Sequence, residues 1–322
     1  MSAPLVAAAR DRAATKQFRG VFPILQTPFT TADKIDFDIL AKELRFLDKG
    51  GVHGGVWPQL ASEYGLLSKE ERLTGAEAIL SAAKGLRITT VIGVQAADIG
   101  DVTTYAKHAE KNGADAIIAL PPADQSNLEY VREYYRAIGK ATQLPLFIQA
   151  VGKMDVDFIV NLAKEVPSLK FDKDEAGAIL TRMTEFRQKA PQIGMFSGNH
   201  GQTMLDEMNR GSAGTMPASP FADLYAQVWD LWQAGKKKQA TEMFGRTLLL
   251  CIEVMNYGLD AVKYVLEVRG VFANHIVRRR PLPKGAVVPG PGSGVDQKTV
   301  LDEPGMAYFR ELVGQMKPYF KA

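Results

Sequence analysis

The stretch SLKFDKDEAG, residues 168–177, ends an apolar run on a lysine between two acids, Asp172, Lys173 and Asp174. On a solvated surface that amine is an ordinary cation. At the rim of an apolar chamber, desolvation disfavours the ammonium and lowers its pKa from the usual ~10.4. A lysine amine made neutral in this way attacks a ketone and forms a Schiff base. The iminium then draws electrons from the neighbouring carbon. That permits carbon–carbon cleavage, carbon–carbon formation or loss of a β-hydroxyl. The competing reading is a strand-end lysine that reaches out to solvent.

Its surroundings decide between the two. Side chains alternate along a strand, so Leu169, Phe171 and Lys173 share one face, and Lys170 and Asp172 the other. With Leu169 and Phe171 filling an interior, Lys173 stands at its upper rim. Lys170 and Asp172 then face a helix layer that is usually apolar.

The elements that would build such an interior alternate along the chain. Strand-like segments fall at 20–29, 54–60, 88–94, 114–122, 144–151, 168–173, 193–199 and 212–219. Helical patterns follow at 35–51, 68–84, 98–112, 127–142, 156–164, 175–189 and 202–209, and up to residue 234. Ser68 with Glu71 three residues on forms a capping box. Eight such pairs in roughly 215 residues predict an α/β fold, a (β/α)8 TIM barrel with a C-terminal helical extension. An open doubly wound sheet fits less well, because no G-x-G-x-x-G opens the first helix. The expected division is a tail or short helix over 1–17, the barrel over 18–235 and a helical domain over 236–322. The last holds helices near 237–255, 259–269 and 303–320, and a Pro/Gly-rich loop over 278–295.

Composition excludes several functions. The formal charge is +3, from 39 basic and 36 acidic residues, so nothing points to nucleic acid. Arg278, Arg279 and Arg280 are the one basic cluster and read as a solvated loop. The single cysteine, Cys251, sits in an apolar run and reads as core. The longest apolar stretches fall well short of the ~20 residues that cross a bilayer. The first residues lack the basic lead-in of a secretory signal, and a cytoplasmic protein is expected. His and acidic residues never recur at ligand spacing, so no metal and no cofactor are expected.

The order GVFPILQTPF, SEYGLLSKEER, ADAIIALPP, LKFDKDEAG, GMFSGN, GSAGTM, AVKYVLEVRG resembles the dihydrodipicolinate synthase/N-acetylneuraminate lyase family. The likeness runs from about Phe18 to Pro283. It implies a (β/α)8 barrel with a C-terminal helical domain, a homo-oligomer (dimer or tetramer), and a Schiff-base lysine that DKDEAG places at Lys173. The chain departs from the family elsewhere. The G-T-T-G-E loop after strand two is Gln59, Leu60, Ala61, Ser62 and Glu63 here, so the hydroxyl pair is gone. Ala123 stands where the family has its proton-relaying tyrosine. After strand five QAVGKM replaces Y-N-V-P-x-R, with Lys153 the nearest cation. Ser62-Glu63, Pro121-Pro122 and Gln149 are similar to the dehydratase branch typified by L-2-keto-3-deoxyarabonate dehydratase.

The resemblance therefore implies a class I lyase, dehydratase or aldolase, acting on a small 2-keto acid. A 2-keto-3-deoxy sugar acid dehydratase is favoured. Dehydration needs a base for the C3 proton and an acid for the leaving hydroxyl. Glu63, Tyr64 and His200 are the candidates beside Lys173. Ser62, Ala61, Gln149, Lys153, Gly198 and Thr215 are the candidate substrate contacts. Two alternatives stand beside this. An altered barrel could bind a metabolite or a protein partner without lyase activity. A barrel aldolase could hold a phosphorylated substrate near residues 197–201 and 211–215.

Overall fold

The computed structural model describes residues 16–279 and 298–322, so the expected tail and most of the Pro/Gly-rich loop lie outside the described residues. Eight parallel strands form one sheet in the order β1-β8-β7-β6-β5-β4-β3-β2. They are β1 Gly20–Val21, β2 Gly54–Trp57, β3 Thr89–Gly93, β4 Ala116–Ala119, β5 Leu146–Ala150, β6 Leu169–Asp174, β7 Gly194–Ser197 and β8 Gly214–Thr215. Parallel bridges from Ile24 to Val56 and to Ala218 complete the ring. The first and last strands are shorter than the sequence predicts. Pro23, Pro28 and Pro217 have no N–H to give to a ladder.

The helices of the barrel are α1 Phe37–Lys49, α2 Lys69–Ala82, α3 Ile99–Lys111, α4 Leu128–Ala141, α5 Val156–Glu165, α6 Ile179–Lys189, α7 Met204–Asn209 and α8 Ala222–Gln233. Side-chain caps start most of them, including the Ser68–Glu71 capping box at α2. Three further helices follow, α9 Lys237–Tyr257, α10 Leu259–Val268 and α11 Glu303–Met316. They pack through Leu250, Val254, Val265, Phe309 and Val313 against Phe221 and Leu224 at the start of α8. Cys251 is buried, as expected of a core residue.

Strand alternation sorts the barrel into two apolar layers. Phe22, Val56, Val91, Ile118, Phe147 and Phe196 fill the interior, with Phe171 packed against them. Leu146, Ile148, Leu169 and Met195 belong to the layer beneath the helices. Leu169 thus sits on the opposite face from the one alternation predicts. The register between β5 and β6 slips, pairing Leu146 with Leu169 but Phe147 with Phe171. The extra residue is Lys170, and such a bulge reverses the facing of everything before it. Phe171 and Lys173 remain on the interior side.

The reading of the basic cluster changes as well. Arg278 is buried, with Nε 2.8 Å from Asp33 Oδ1 and Nη2 2.8 Å from Glu71 Oε1. Arg279 pairs with Asp260 at 2.6 Å. Local charge density suggests solvent for Arg278, but the acids that pair with it lie far away in sequence. Arg279 is exposed, as the solvated-loop reading expects, and Arg280 lies outside the described residues.

Candidate active site

Lys173 stands next to last in β6, with Gln149 of β5 and Phe196 of β7 as its register neighbours. Phe147 and Phe171 stack one step below at 4.3 Å between ring centroids. The amine therefore stands above an aromatic floor at the C-terminal rim of the barrel, with only 5% of the residue exposed. A small cavity opens there, and Gln59, Leu60, Ala61, Lys173, Glu175 and His200 are among its walls.

Desolvation is not the only force on the amine. Glu175 Oε2 lies 3.4 Å from Lys173 Nζ. The same oxygen accepts a short hydrogen bond from Gln149 Nε2. Oε1 accepts from the Asn199 N–H at 3.2 Å. Periodicity makes Glu175 the first residue of a helix and gives it no role. The helix starts later, at Ile179, because Gly177 has φ of +132°, which no helix accommodates. The freed turn folds the carboxylate back over the lysine. Gly198 makes room for it, since a Cβ there would lie 1.8 Å from Glu175 Oε1.

The outer face of β6 is acidic and buried. Asp174 receives Arg182 Nε at 2.6 Å and the Ala176 N–H at 2.9 Å, which pins the strand end. Asp172 has no side-chain partner among the described residues. Burial, and then the neighbouring Asp174, push its pKa well above the usual carboxylate range. That direction favours the neutral form, in which burying a carboxyl costs least.

The other predicted site residues divide. His200 lines the cavity in a left-handed conformation with φ of 53°, and its carbonyl accepts from the Tyr225 hydroxyl. Ala61 lines the cavity too, and Gln149 and Gly198 reach it through Glu175. Glu63, Tyr64, Ser62, Lys153 and Thr215 do not line it.

Glu63 turns away to form a buried ion pair with Lys263 of α10, and it accepts the Arg278 N–H at 2.8 Å. Burial raises its pKa against the pull of Lys263. Tyr64 packs beside Arg72, whose guanidinium is 5.7 Å from the ring centre. Ser62 uses its hydroxyl within the loop, donating to the Leu25 carbonyl at 2.6 Å and accepting the Gln59 N–H at 3.0 Å. Lys153 is exposed. Thr215 lies behind the wall, sharing a 2.9 Å hydrogen bond with the Ser197 hydroxyl, which also donates to Glu207. All five stand close in sequence to a strand end. Proximity along the chain does not say which way a loop residue turns. No cluster of metal-ligating side chains occurs among the described residues.

Comparison with known proteins agrees with this architecture. The model of the dihydrodipicolinate synthetase family matches residues 17–285. A 4-hydroxy-tetrahydrodipicolinate synthase of Rhizobium meliloti is 27% identical over 288 residues, covering 87% of this chain and 96% of that protein. An L-2-keto-3-deoxyarabonate dehydratase of Azospirillum brasilense is 22% identical over 281 residues, covering 84% and 90%. The structure of YagE from E. coli K12 in complex with pyruvate superposes with a TM-score of 0.80 at 18% identity, covering 93% of this chain and 99% of that one. With the barrel, the trailing helices and a family match over most of its length, the chain belongs to the dihydrodipicolinate synthetase family.

Proposed function

We propose that the protein is a class I lyase that condenses Lys173 with a small 2-keto acid and removes water from a 2-keto-3-deoxy sugar acid. The observation that carries this is the buried Lys173 amine with the Glu175 carboxylate 3.4 Å away, in a cavity open at the strand ends. Glu175 takes the proton the amine must lose, and the neutral nitrogen adds to the keto carbon. Glu175 returns that proton to the carbinolamine hydroxyl, which leaves as water, and an iminium forms. Glu175 then removes a proton from C3, giving an enamine. The enamine expels the β-hydroxyl, which leaves as water with the proton Glu175 holds. Water finally hydrolyses the imine and returns the lysine. His200, on the same wall, is a second group able to move protons near neutral pH.

Leu60 and Ala61 replace the family's hydroxyls, yet their N–H groups open a short 3-10 turn and have no partner among the described hydrogen bonds. They are donors for the substrate carboxylate. Dehydration is preferred over aldol cleavage because Ser62-Glu63, Pro121-Pro122 and Gln149 are similar to the dehydratase branch. The family likeness also supports a cytoplasmic homo-oligomer, a dimer or tetramer. Among the described residues no helix is long and apolar enough to cross a membrane.

Borohydride reduction in the presence of pyruvate and a set of 2-keto-3-deoxy acids, followed by peptide mass spectrometry, tests the reading. The expected result is a reduced adduct on Lys173. Release of pyruvate from the deoxy acids would mean aldol cleavage, and absence of any adduct would end the Schiff-base proposal.

A further inference from the structure

We infer that Gln59 is a specificity-determining residue, its side-chain carbonyl held as a fixed acceptor for a hydroxyl of the bound acid. The inference rests on the proposed reading of the cavity as an acid-binding site. Gln59 is 1% exposed and lines the cavity just before the turn Leu60–Ser62.

A glutamine amide has a donor end and an acceptor end, and its neighbours decide which points where. Here the decision starts at Pro58. Its main-chain oxygen can only accept, so Gln95 presents Nε2 to it, at 2.8 Å. Gln95 Oε1 is then turned toward Gln59, which must answer with Nε2, at 2.9 Å. Flipping either amide would set oxygen against oxygen. Arg72 holds the Gln95 main chain from the other side, donating to the Gln95 carbonyl at 2.7 Å and to the Gly93 carbonyl at 3.0 Å.

This relay uses the donor end of Gln59 and leaves Oε1 without a hydrogen bond. The Ser62 N–H lies against the Gln59 side chain as in a capping box, but its hydrogen bond goes to the main chain. It closes the turn on the Gln59 main-chain carbonyl at 2.9 Å. A buried acceptor with no donor is uncommon and calls for a partner that arrives from outside. Carboxylate and keto oxygens cannot serve, because they too only accept. A hydroxyl can. An acid without hydroxyls buries Oε1 unpaired, so the site penalises it relative to a hydroxylated acid of the same length.

Calorimetric titration of the whole protein with pentonate and with pentanoate tests this, because neither acid can form an imine. Wild type is expected to prefer pentonate. Gln59→Met is expected to lower that preference about tenfold, the usual size for one such hydrogen bond. Gln95→Leu keeps Gln59 but frees its amide to rotate, and it should lower the preference by a similar factor. This second variant separates orientation from loss of the side chain, and it decides the matter if Gln59→Met does not fold. An equal preference in all three proteins, the result expected if a cavity water satisfies Oε1, overturns the inference. So does the absence of binding by either acid. Borohydride trapping at Lys173 on the same samples reads the catalytic proposal separately. An adduct without any Gln59 dependence sinks only the role of Gln59, and a Gln59-dependent preference without an adduct sinks only the Schiff base.

Discussion

Lys173 Nζ and Glu175 Oε2 lie 3.4 Å apart, two residues apart in sequence, with Gln149 bonded to the same carboxylate oxygen. Strand alternation alone would have pointed both side chains the same way without bringing their ends together. The turn at Gly177 does that, and it converts a desolvated amine into an amine with a proton acceptor beside it. Replacing Glu175 by Gln keeps the shape and removes the base. Turnover is expected to fall by 10² to 10⁴, the usual range for a general acid–base group. Slow borohydride trapping of Lys173 should survive. Unchanged turnover would exclude Glu175 from the chemistry.

Gly198 tests the same carboxylate from behind. A Cβ at this position would stand 1.8 Å from Glu175 Oε1, so Gly198→Ala must push the carboxylate aside. Misplacement by about an ångström costs roughly 10²-fold in rate. The expected signature is a rate loss larger than any shift in melting temperature accounts for. Full activity in the alanine variant would show that the carboxylate position is not critical.

Glu63 and Lys263 make a buried pair between the loop after β2 and helix α10. Burial raises the acid's pKa and lowers the amine's, so each depends on the other to stay charged. Lys263→Met leaves Glu63 without its cation and should cost about 3–5 kcal/mol in stability. Changing both to Met and Leu together should cost less than the single change. Denaturant unfolding of the two variants measures this. A double variant no better than the single one would argue against the pair as the source of the loss.

Glu43 of α1 gives a pH signature. Buried among Ser219, the Gln26 N–H and Lys263, its pKa is raised by desolvation from 4.5 to about 8. The folded protein therefore holds a proton that the unfolded chain releases across that window. Stability is expected to fall as pH rises from about 4.5 to 8, by up to ~1.4 kcal/mol per pH unit, and then to level off. Glu43→Gln cannot titrate and should flatten this part of the profile. Parallel profiles for wild type and variant would contradict the raised pKa.

Local information in the chain reached as far as the order of elements and the identity of the central amine. Helix periodicity, capping pairs such as Ser68 and Glu71, and the run ending at Lys173 are near-neighbour properties, and a linear reading captures them. The facing of Leu169 is not legible in the chain, because the one-residue slip between β5 and β6 involves a partner strand. The role of Glu175 is not legible in the chain, because its direction depends on the single glycine two residues on. Glu63, Ser62 and Thr215 were drawn toward the cavity by their closeness to strand ends. The structure sends Glu63 to Lys263, about 200 residues away in sequence, gives the Ser62 hydroxyl to the loop itself, and places Thr215 behind the wall.

The sequence by itself determined that strands and helices alternate into a barrel and that a lysine ends the sixth strand, because short-range periodicity sets both. Only the tertiary structure decided which acid meets that lysine and which amide oxygen is left unpaired. Those outcomes depend on how the strand-end loops turn and meet, where burial makes each hydrogen-bond partner count and periodicity says nothing about direction.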